Sequence, residues 1–161
     1  MKTRYTKIFK RLKRLFPAYP FPKVRFVDMI DVFGLYDAAD SCILINKDTF
    51  GYTRNDVEAT IAHEFAHHVQ YYNGDNNKTE LQYWLIEELV NNRLDFNEME
   101  AIYFQIPSER QAEFLSWLLT ANEYSWKRLC LSGLSLPKRP PTIRNKKDIE
   151  RASKKYGVEV L

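Results

Sequence analysis

The sequence has few histidines, few cysteines and no long apolar run. Only three histidines and two cysteines occur among 161 residues. Cys42 and Cys130 lie far apart and form no metal-like pair, so we expect reduced thiols. No apolar run approaches the roughly 20 residues that a membrane-spanning helix needs. Nothing near the N-terminus is typical of a secretory signal. We therefore expect a cytoplasmic protein without a transmembrane segment.

The chain does have enough apolar material for one globular domain. Hydrophobic residues make up 45% of the sequence and aromatic residues 14%, a composition that excludes an intrinsically disordered chain. A chain of this length buries about two thirds of its unfolded surface when it folds as one unit.

Positive charge is concentrated at the two ends of the chain. Residues 1–25 hold nine Lys or Arg and no acid, and residues 138–155 hold eight against two acids. The middle, residues 26–137, has 7 basic and 18 acidic residues. Such a layout indicates either docking of the basic ends on the acidic body or binding of an acidic partner or nucleic acid.

The periodicity of apolar residues predicts three regions. Residues 1–20 form a basic amphipathic helix, residues 21–137 a domain, and residues 138–161 a basic arm in which 146–156 could be helical. The first helix either docks on the core through its apolar stripe or binds nucleic acid or an anionic membrane. The predicted elements of the domain are strands at 24–27 and 42–45, and helices at 53–72, 79–94 and from Ser108 to near Gly133. This order predicts an α+β fold, with a short mixed sheet packed on the second helix of the chain and on further helices.

One short motif carries chemistry. His63 and His67 are four residues apart, so on a helix their imidazoles project from the same face, one turn apart. That spacing suits two positions of a tetrahedral zinc site. Glu64 lies one residue round and can reach a water at an open zinc position, where it would act as general base.

The ten residues from Thr60 to Val69, TIAHEFAHHV, resemble the extended signature of the zincin metallopeptidases. Their flank and spacers are uncharged, and an apolar residue follows the second histidine. The resemblance implies that His63 and His67 bind Zn²⁺ and that Glu64 is the catalytic base.

The third ligand is expected to be an acid. The remaining histidine, His68, points about 100° away from His67 on a helix. A glutamate ligand is similar to the gluzincin branch of the zincins, and in particular to compact ImmA/IrrE-like metallopeptidases.

Several glutamates compete for this position: Glu87, Glu88, Glu98 and Glu109. If the helix after the loop at 73–79 folds back, Glu88 lies about 14 Å beyond the turn, and His67 lies about 9 Å before it. Glu98 would be nearly 30 Å along an unbroken helix. Glu98 and Glu109 each begin a Glu-x-x-Ala, which resembles the third-ligand pattern of ImmA/IrrE-type proteins. Glu88 is our choice, with the other three left open.

These observations predict a zinc metallopeptidase that hydrolyses a protein or peptide substrate, and by resemblance a regulatory intracellular protease. An extended substrate would pair with an edge strand of the sheet. The alternative is a metal-containing binding protein that acts on nucleic acid or an acidic protein through its basic termini.

Overall fold

The computed structural model of the protein describes residues 5–30, 32–48, 51–75, 84–85, 87–88, 91 and 93–159. Within them, three strands and six helices are defined, and this arrangement confirms the α+β class. The strands are β1 (Lys23–Val27), β2 (Gly34–Asp37) and β3 (Cys42–Asn46). The helices are α1 (Thr6–Leu15), α2 (Arg54–Tyr72), α3 (Phe96–Tyr103), α4 (Pro107–Thr120), α5 (Glu123–Leu131) and α6 (Lys146–Tyr156).

Helices α2 and α4 form the centre of the fold and run antiparallel. Helix α2 begins as predicted, with Thr53 and Asp56 in a reciprocal capping box. Three contacts define the pairing of the two helices: Asn55 with Thr120, Ala59 with Ser116, and Gln70 with Ser108. The last two are a buried hydroxyl and a buried amide that each donate to a main-chain carbonyl. Such contacts fix one relative position of the helices, because breaking them would strand buried polar groups.

The sheet has the order β1-β3-β2, with β1 parallel and β2 antiparallel to β3. The prediction of the strands near 24–27 and 42–45 is confirmed. Strand β2 was not predicted, because it is only four residues long and half of the Leu35 side chain is exposed. Among the described strands, β2 pairs with β3 alone, so its other edge has no strand partner there.

The third predicted helix is interrupted. The sequence predicts one helix from Ser108 through Trp126, but α4 ends at Thr120 and α5 begins at Glu123. Ala121 adopts a left-handed conformation with φ of 52°, which terminates α4. The side chain of Asn122 then caps α5 by accepting a hydrogen bond from the Ser125 amide. The predicted helix from Thr79 toward Leu94 lies mostly outside the described residues, although 84–85 and 87–88 are helical.

Both basic ends contribute apolar side chains to one core. Helix α1 buries Ile8, Leu12 and Leu15, as its periodicity predicts. The C-terminal segment buries four residues in the same cluster: Ile143, Ile149, Ala152 and Val158. Among the described residues, no helix is both long and apolar enough to cross a membrane.

Candidate metal centre

The antiparallel packing of α2 and α4 brings two histidines and a glutamate together. Nε2 of His63 lies 3.2 Å from Nε2 of His67. Oε2 of Glu109 lies 3.2 Å from the first nitrogen and 3.3 Å from the second. These three atoms therefore form a nearly equilateral triangle. His63, His67 and Glu109 are a group that could hold a metal ion.

The chemistry of these three atoms favours a cation between them. Within the described chain, Glu109 Oε2 is a buried oxygen without a hydrogen-bond partner of acceptable geometry. Buried carboxylate oxygens are rarely left in that state. When the two imidazoles are neutral and protonated at Nδ1, both Nε2 lone pairs face the same carboxylate oxygen. Three electron-rich atoms so close repel one another unless protons or a metal ion lie among them.

The Nδ1 atom of His63 is held by a second glutamate on α4. It donates a hydrogen bond of 2.9 Å to Oε2 of Glu113, which lies one turn after Glu109. Glu113 is only 2% exposed and its other oxygen faces Arg128 at 3.5 Å. The same guanidinium contacts Glu100 of α3 at 3.3 Å. A carboxylate at Nδ1 fixes the imidazole tautomer and leaves Nε2 as the ligand atom.

The Nδ1 atom of His67 is held by an amide. It lies 2.7 Å from Oε1 of Gln70. The orientation of that amide is determined by its other end, because Nε2 of Gln70 donates to the Ser108 carbonyl and to Oε1 of Gln111. Its oxygen can therefore only accept from the imidazole. His67, like His63, carries its proton on Nδ1 and presents Nε2 to the centre.

Glu64 lies between the metal group and strand β2. Glu64 is 8% exposed, and its side chain lies near the Tyr36 main-chain amide. Burial raises the pKa of Glu64, although His63 and His67 act in the opposite direction. A raised pKa makes the carboxylate a better proton acceptor at neutral pH.

Gly34 is required for this close approach of β2 to α2. A Cβ atom at position 34 would lie 2.5 Å from Cγ2 of Thr60 and 3.1 Å from Cγ of Glu64. Any larger residue would push the strand away from the helix that carries Glu64. The glycine thus places the strand's main chain beside the acid.

Neighbouring charges affect the pKa values of the metal group more than burial does. Burial alone would lower the pKa of His63, but the carboxylates of Glu109 and Glu113 outweigh it and raise that pKa well above its usual value. The pKa of His67 is raised in the same way by Glu109. Burial acts to raise the pKa of Glu109, yet the two imidazoles lower it strongly. The cluster therefore binds protons at neutral pH when no metal is present.

Helix α3 brings a tyrosine to the same group. Burial and the nearby carboxylate of Glu109 raise the pKa of the Tyr103 hydroxyl. The phenol therefore stays protonated and can serve as a hydrogen-bond donor beside the metal group. Tyr103 is one of ten tyrosines in the sequence, and no spacing distinguishes it from the others.

Glu88, the expected third ligand, does not belong to this group. Its side chain pairs with Arg93 at 3.1 Å. Of the alternatives, Glu87 is exposed, and Glu98 caps α3 by accepting from the Asp95 amide. Glu109 is the one that the fold brings to the histidines.

His68, the residue after His67, has a different role. It is fully buried, accepts a hydrogen bond from the Tyr36 hydroxyl at Nδ1 and donates to the Pro20 carbonyl from Nε2. Burial lowers the pKa of His68. The residue therefore holds β2 against α2 as a neutral imidazole.

Glu113, Gln70 and Arg128 were missed by the sequence analysis. The spacing of Glu109 and Glu113, four residues apart on a helix, was a usable signal, because it matches the spacing of the two histidines. Gln70 lies three residues after His67, which also places it on the same face. Nothing in the sequence points to Arg128.

Comparison with known proteins gives no assignment. No protein-family model matches this sequence. Neither the curated proteins nor the solved structures yield a significant match. The function has to be argued from the site itself.

Proposed function

We propose that the protein is a zinc-dependent peptidase, with Glu109 in place of Glu88 as the third ligand. The observation that carries this proposal is the triangle of His63 Nε2, His67 Nε2 and Glu109 Oε2, with the carboxylate of Glu64 beside it. Two neutral imidazoles and one carboxylate are the ligand set of catalytic zinc sites that keep one position for water.

The size of the triangle supports zinc in particular. Bonds of about 2.0–2.1 Å from zinc place neighbouring corners of a tetrahedron about 3.3 Å apart. The three separations of 3.2, 3.2 and 3.3 Å agree with that value. Calcium and magnesium prefer sets of oxygen ligands, so two imidazoles argue against them.

The proposed chemistry is general acid–base hydrolysis of an amide. A bound zinc ion would polarise the scissile carbonyl and lower the pKa of a water molecule. Glu64 would take a proton from a water molecule as the water oxygen attacks the carbonyl carbon. Glu64 then passes the proton to the amide nitrogen, the carbon–nitrogen bond breaks, and a carboxylic acid and an amine are released. Tyr103, held protonated, can donate to the oxygen that gains negative charge.

The free edge of β2 offers a binding site for an extended substrate. The Asn46 amide donates to the Phe33 carbonyl, so positions 33, 35 and 37 are the hydrogen-bonded positions of the antiparallel pair with β3. Gly34 and Tyr36 therefore direct their main-chain polar groups to the free edge. The position of the Glu64 side chain near the Tyr36 amide agrees with this alternation. A peptide that adds to this edge would lie next to the catalytic carboxylate.

Replacement of Glu64 by glutamine tests the proposal. The zinc-loaded protein would be incubated with a library of unstructured proteome-derived peptides, and new termini would be counted by mass spectrometry. The wild type should cleave peptides, and E64Q should bind zinc as well as the wild type but lose at least about 100-fold in cleavage. Cleavage that E64Q retained would contradict the assigned base. A library left intact by the wild type would contradict the peptidase.

A further inference from the structure

We infer that the two basic ends of the chain form one surface, and that this surface binds the phosphate backbone of duplex DNA. The basic surface consists of six exposed cations: Lys7, Lys10 and Arg14 of α1, and Arg144, Lys146 and Lys147 at the start of α6. This function is separate from the proposed peptidase activity and uses none of its residues.

Arg11 joins the two groups of cations. Its guanidinium donates to the Leu119 carbonyl and, at 3.1 Å, to the Ile143 carbonyl. Lys7 and Arg14 lie one turn before and one turn after Arg11 on the helix. Arg144 follows Ile143 directly. A segment more than 130 residues away in the sequence is thereby fixed beside α1.

Docking of these segments uses apolar contacts and leaves the charges free. The stripe of Ile8, Leu12 and Leu15 is almost fully buried, and so are Ile143 and Ile149. In the described chain, none of the six cations has an acidic oxygen within ion-pairing distance. The ion pairs there involve seven other Lys and Arg residues: Lys47, Arg54, Arg93, Lys127, Arg128, Lys138 and Arg151.

The nearest acid in the sequence is already engaged. Asp148 influences Arg144, but its carboxylate accepts from the Arg144 and Asn145 amides and pairs with Arg151. Electrostatic docking of the basic ends on the acidic body, one of the sequence-based expectations, therefore does not neutralise these six charges. Their field is directed to solvent and is available to a polyanion.

The composition of the surface favours duplex DNA over other anionic partners. Insertion into a membrane would need an exposed apolar face, and the apolar stripe of α1 is buried. A protein partner would need apolar or aromatic anchors, and single-stranded nucleic acid would need aromatic rings for base stacking. Within the described residues, no large hydrophobic side chain of α1 or of 138–159 is exposed. Helices whose charged side chains are mostly cations suit a regular array of phosphates.

The basic surface lies away from the metal group. Phe16, at the end of α1, packs on Phe65 with ring centroids 5.5 Å apart. Phe65 comes two residues after His63, which places it about 160° round α2 from that ligand. A duplex on the basic surface would therefore leave the metal group and the edge of β2 uncovered. DNA binding should not depend on metal.

The test measures the salt dependence of binding to a fluorescent 20-base-pair DNA duplex by anisotropy. If all six cations contact phosphates, the affinity of the full chain should fall about 1,800-fold between 50 and 200 mM salt. Two variants, K7Q/K10Q/R14Q and R144Q/K146Q/K147Q, each remove three contacts. Each should fall only about 40-fold over the same range and bind at least about tenfold more weakly at 50 mM.

A matched control carries the same loss of charge elsewhere. The variant K23Q/R25Q/K47Q lowers the net charge by three on exposed positions of β1 and after β3, and it should keep the wild-type salt dependence. E64Q and zinc-free protein should also bind DNA as the wild type does, with folding of every sample verified by circular dichroism.

Several outcomes would overturn the inference. They are absence of DNA binding at 50 mM salt and about 100 μM protein, an equal loss in the control variant, or loss of binding on zinc removal. Tighter binding to an RNA duplex, to single-stranded DNA, to phosphatidylserine vesicles or to polyglutamate would assign the surface to that partner instead.

Discussion

Replacement of Glu109 by glutamine tests whether the third ligand is Glu109, as proposed, or Glu88, which the sequence spacing favoured. Glutamine keeps the shape of the side chain and removes its charge. The buried Oε2 atom of Glu109 lies 3.2 and 3.3 Å from the two imidazole nitrogens. Glu88 lies elsewhere and pairs with Arg93, whose side chain is 63% exposed. E88Q is therefore the matched control, with the same chemical change outside the group.

The size of the effect follows from the position of each carboxylate. Loss of a partner that only orients a ligand weakens metal binding about 10–100-fold. Glu113 is such a partner, so E113Q should fall in that range. Glu109 would contact the metal itself, so E109Q should lose at least about 100-fold, which corresponds to about 2.7 kcal/mol. E88Q should stay within about twofold of the wild type, since Glu88 pairs with Arg93 and is not part of the group of His63, His67 and Glu109.

Competition with a chromophoric zinc chelator at constant pH measures these affinities. Each variant would first be compared with the wild type in thermal unfolding without zinc, so that loss of fold is not mistaken for loss of a ligand. The reasoning would be refuted if E109Q bound zinc as tightly as the wild type. It would also be refuted if E88Q lost affinity as strongly as E109Q.

Two further predictions concern the zinc-free protein and strand β2. The raised pKa values of His63 and His67 stabilise the zinc-free fold below about pH 6.5, and this contribution is lost as the pH rises through the folded-state values. The lowered pKa of Glu109 contributes above about pH 4.5 and is lost on acidification. Melting temperatures in chelator should therefore decline toward alkaline pH, and a profile that H63Q/H67Q leaves unchanged would contradict this. G34A should bind zinc but lose at least about tenfold in peptide cleavage, because its Cβ would meet Thr60 Cγ2 at 2.5 Å. G34A/T60A should recover part of the loss, and a double variant no better than G34A would speak against this steric cause.

The sequence was informative wherever a local pattern determines structure. His63, Glu64 and His67 could be placed on one helix because their spacing matches the helical repeat. The apolar stripe of α1 predicted its docking for the same reason. The α+β class followed from the order of the patterns. In each of these cases the relevant residues lie within two or three turns of one another.

The third member of the metal group depended on contacts that no local pattern contains. Glu88 would be the third ligand if the helix following the loop after α2 returned along α2 to the histidines. Among the described residues, the helix that packs antiparallel to α2 is α4, more than 30 residues further on, and it brings Glu109 to the histidines. The close approach of strand β2 to α2 was also missed, because it depends on Gly34, whose missing side chain matters only against Thr60 and Glu64. Both features are set by packing between distant segments.

The packing of α4 on α2 has to exclude an alignment of the two helices that is shifted by one turn. Both carry their key residues four apart, His63 with His67 and Glu109 with Glu113. A slide of α4 by one turn, about 5.4 Å, would therefore offer the histidines Glu113 where Glu109 now lies. The charged groups discriminate between these two alignments, because Trp117 would then stand where Glu113 now accepts from Nδ1 of His63. The neutral contacts act in the same direction: Thr120 would replace the smaller, buried Ser116 opposite Ala59, and Leu115 would replace Gln111 beside the Gln70 amide. Residues that are not proposed ligands therefore favour Glu109 as the carboxylate between the two imidazoles.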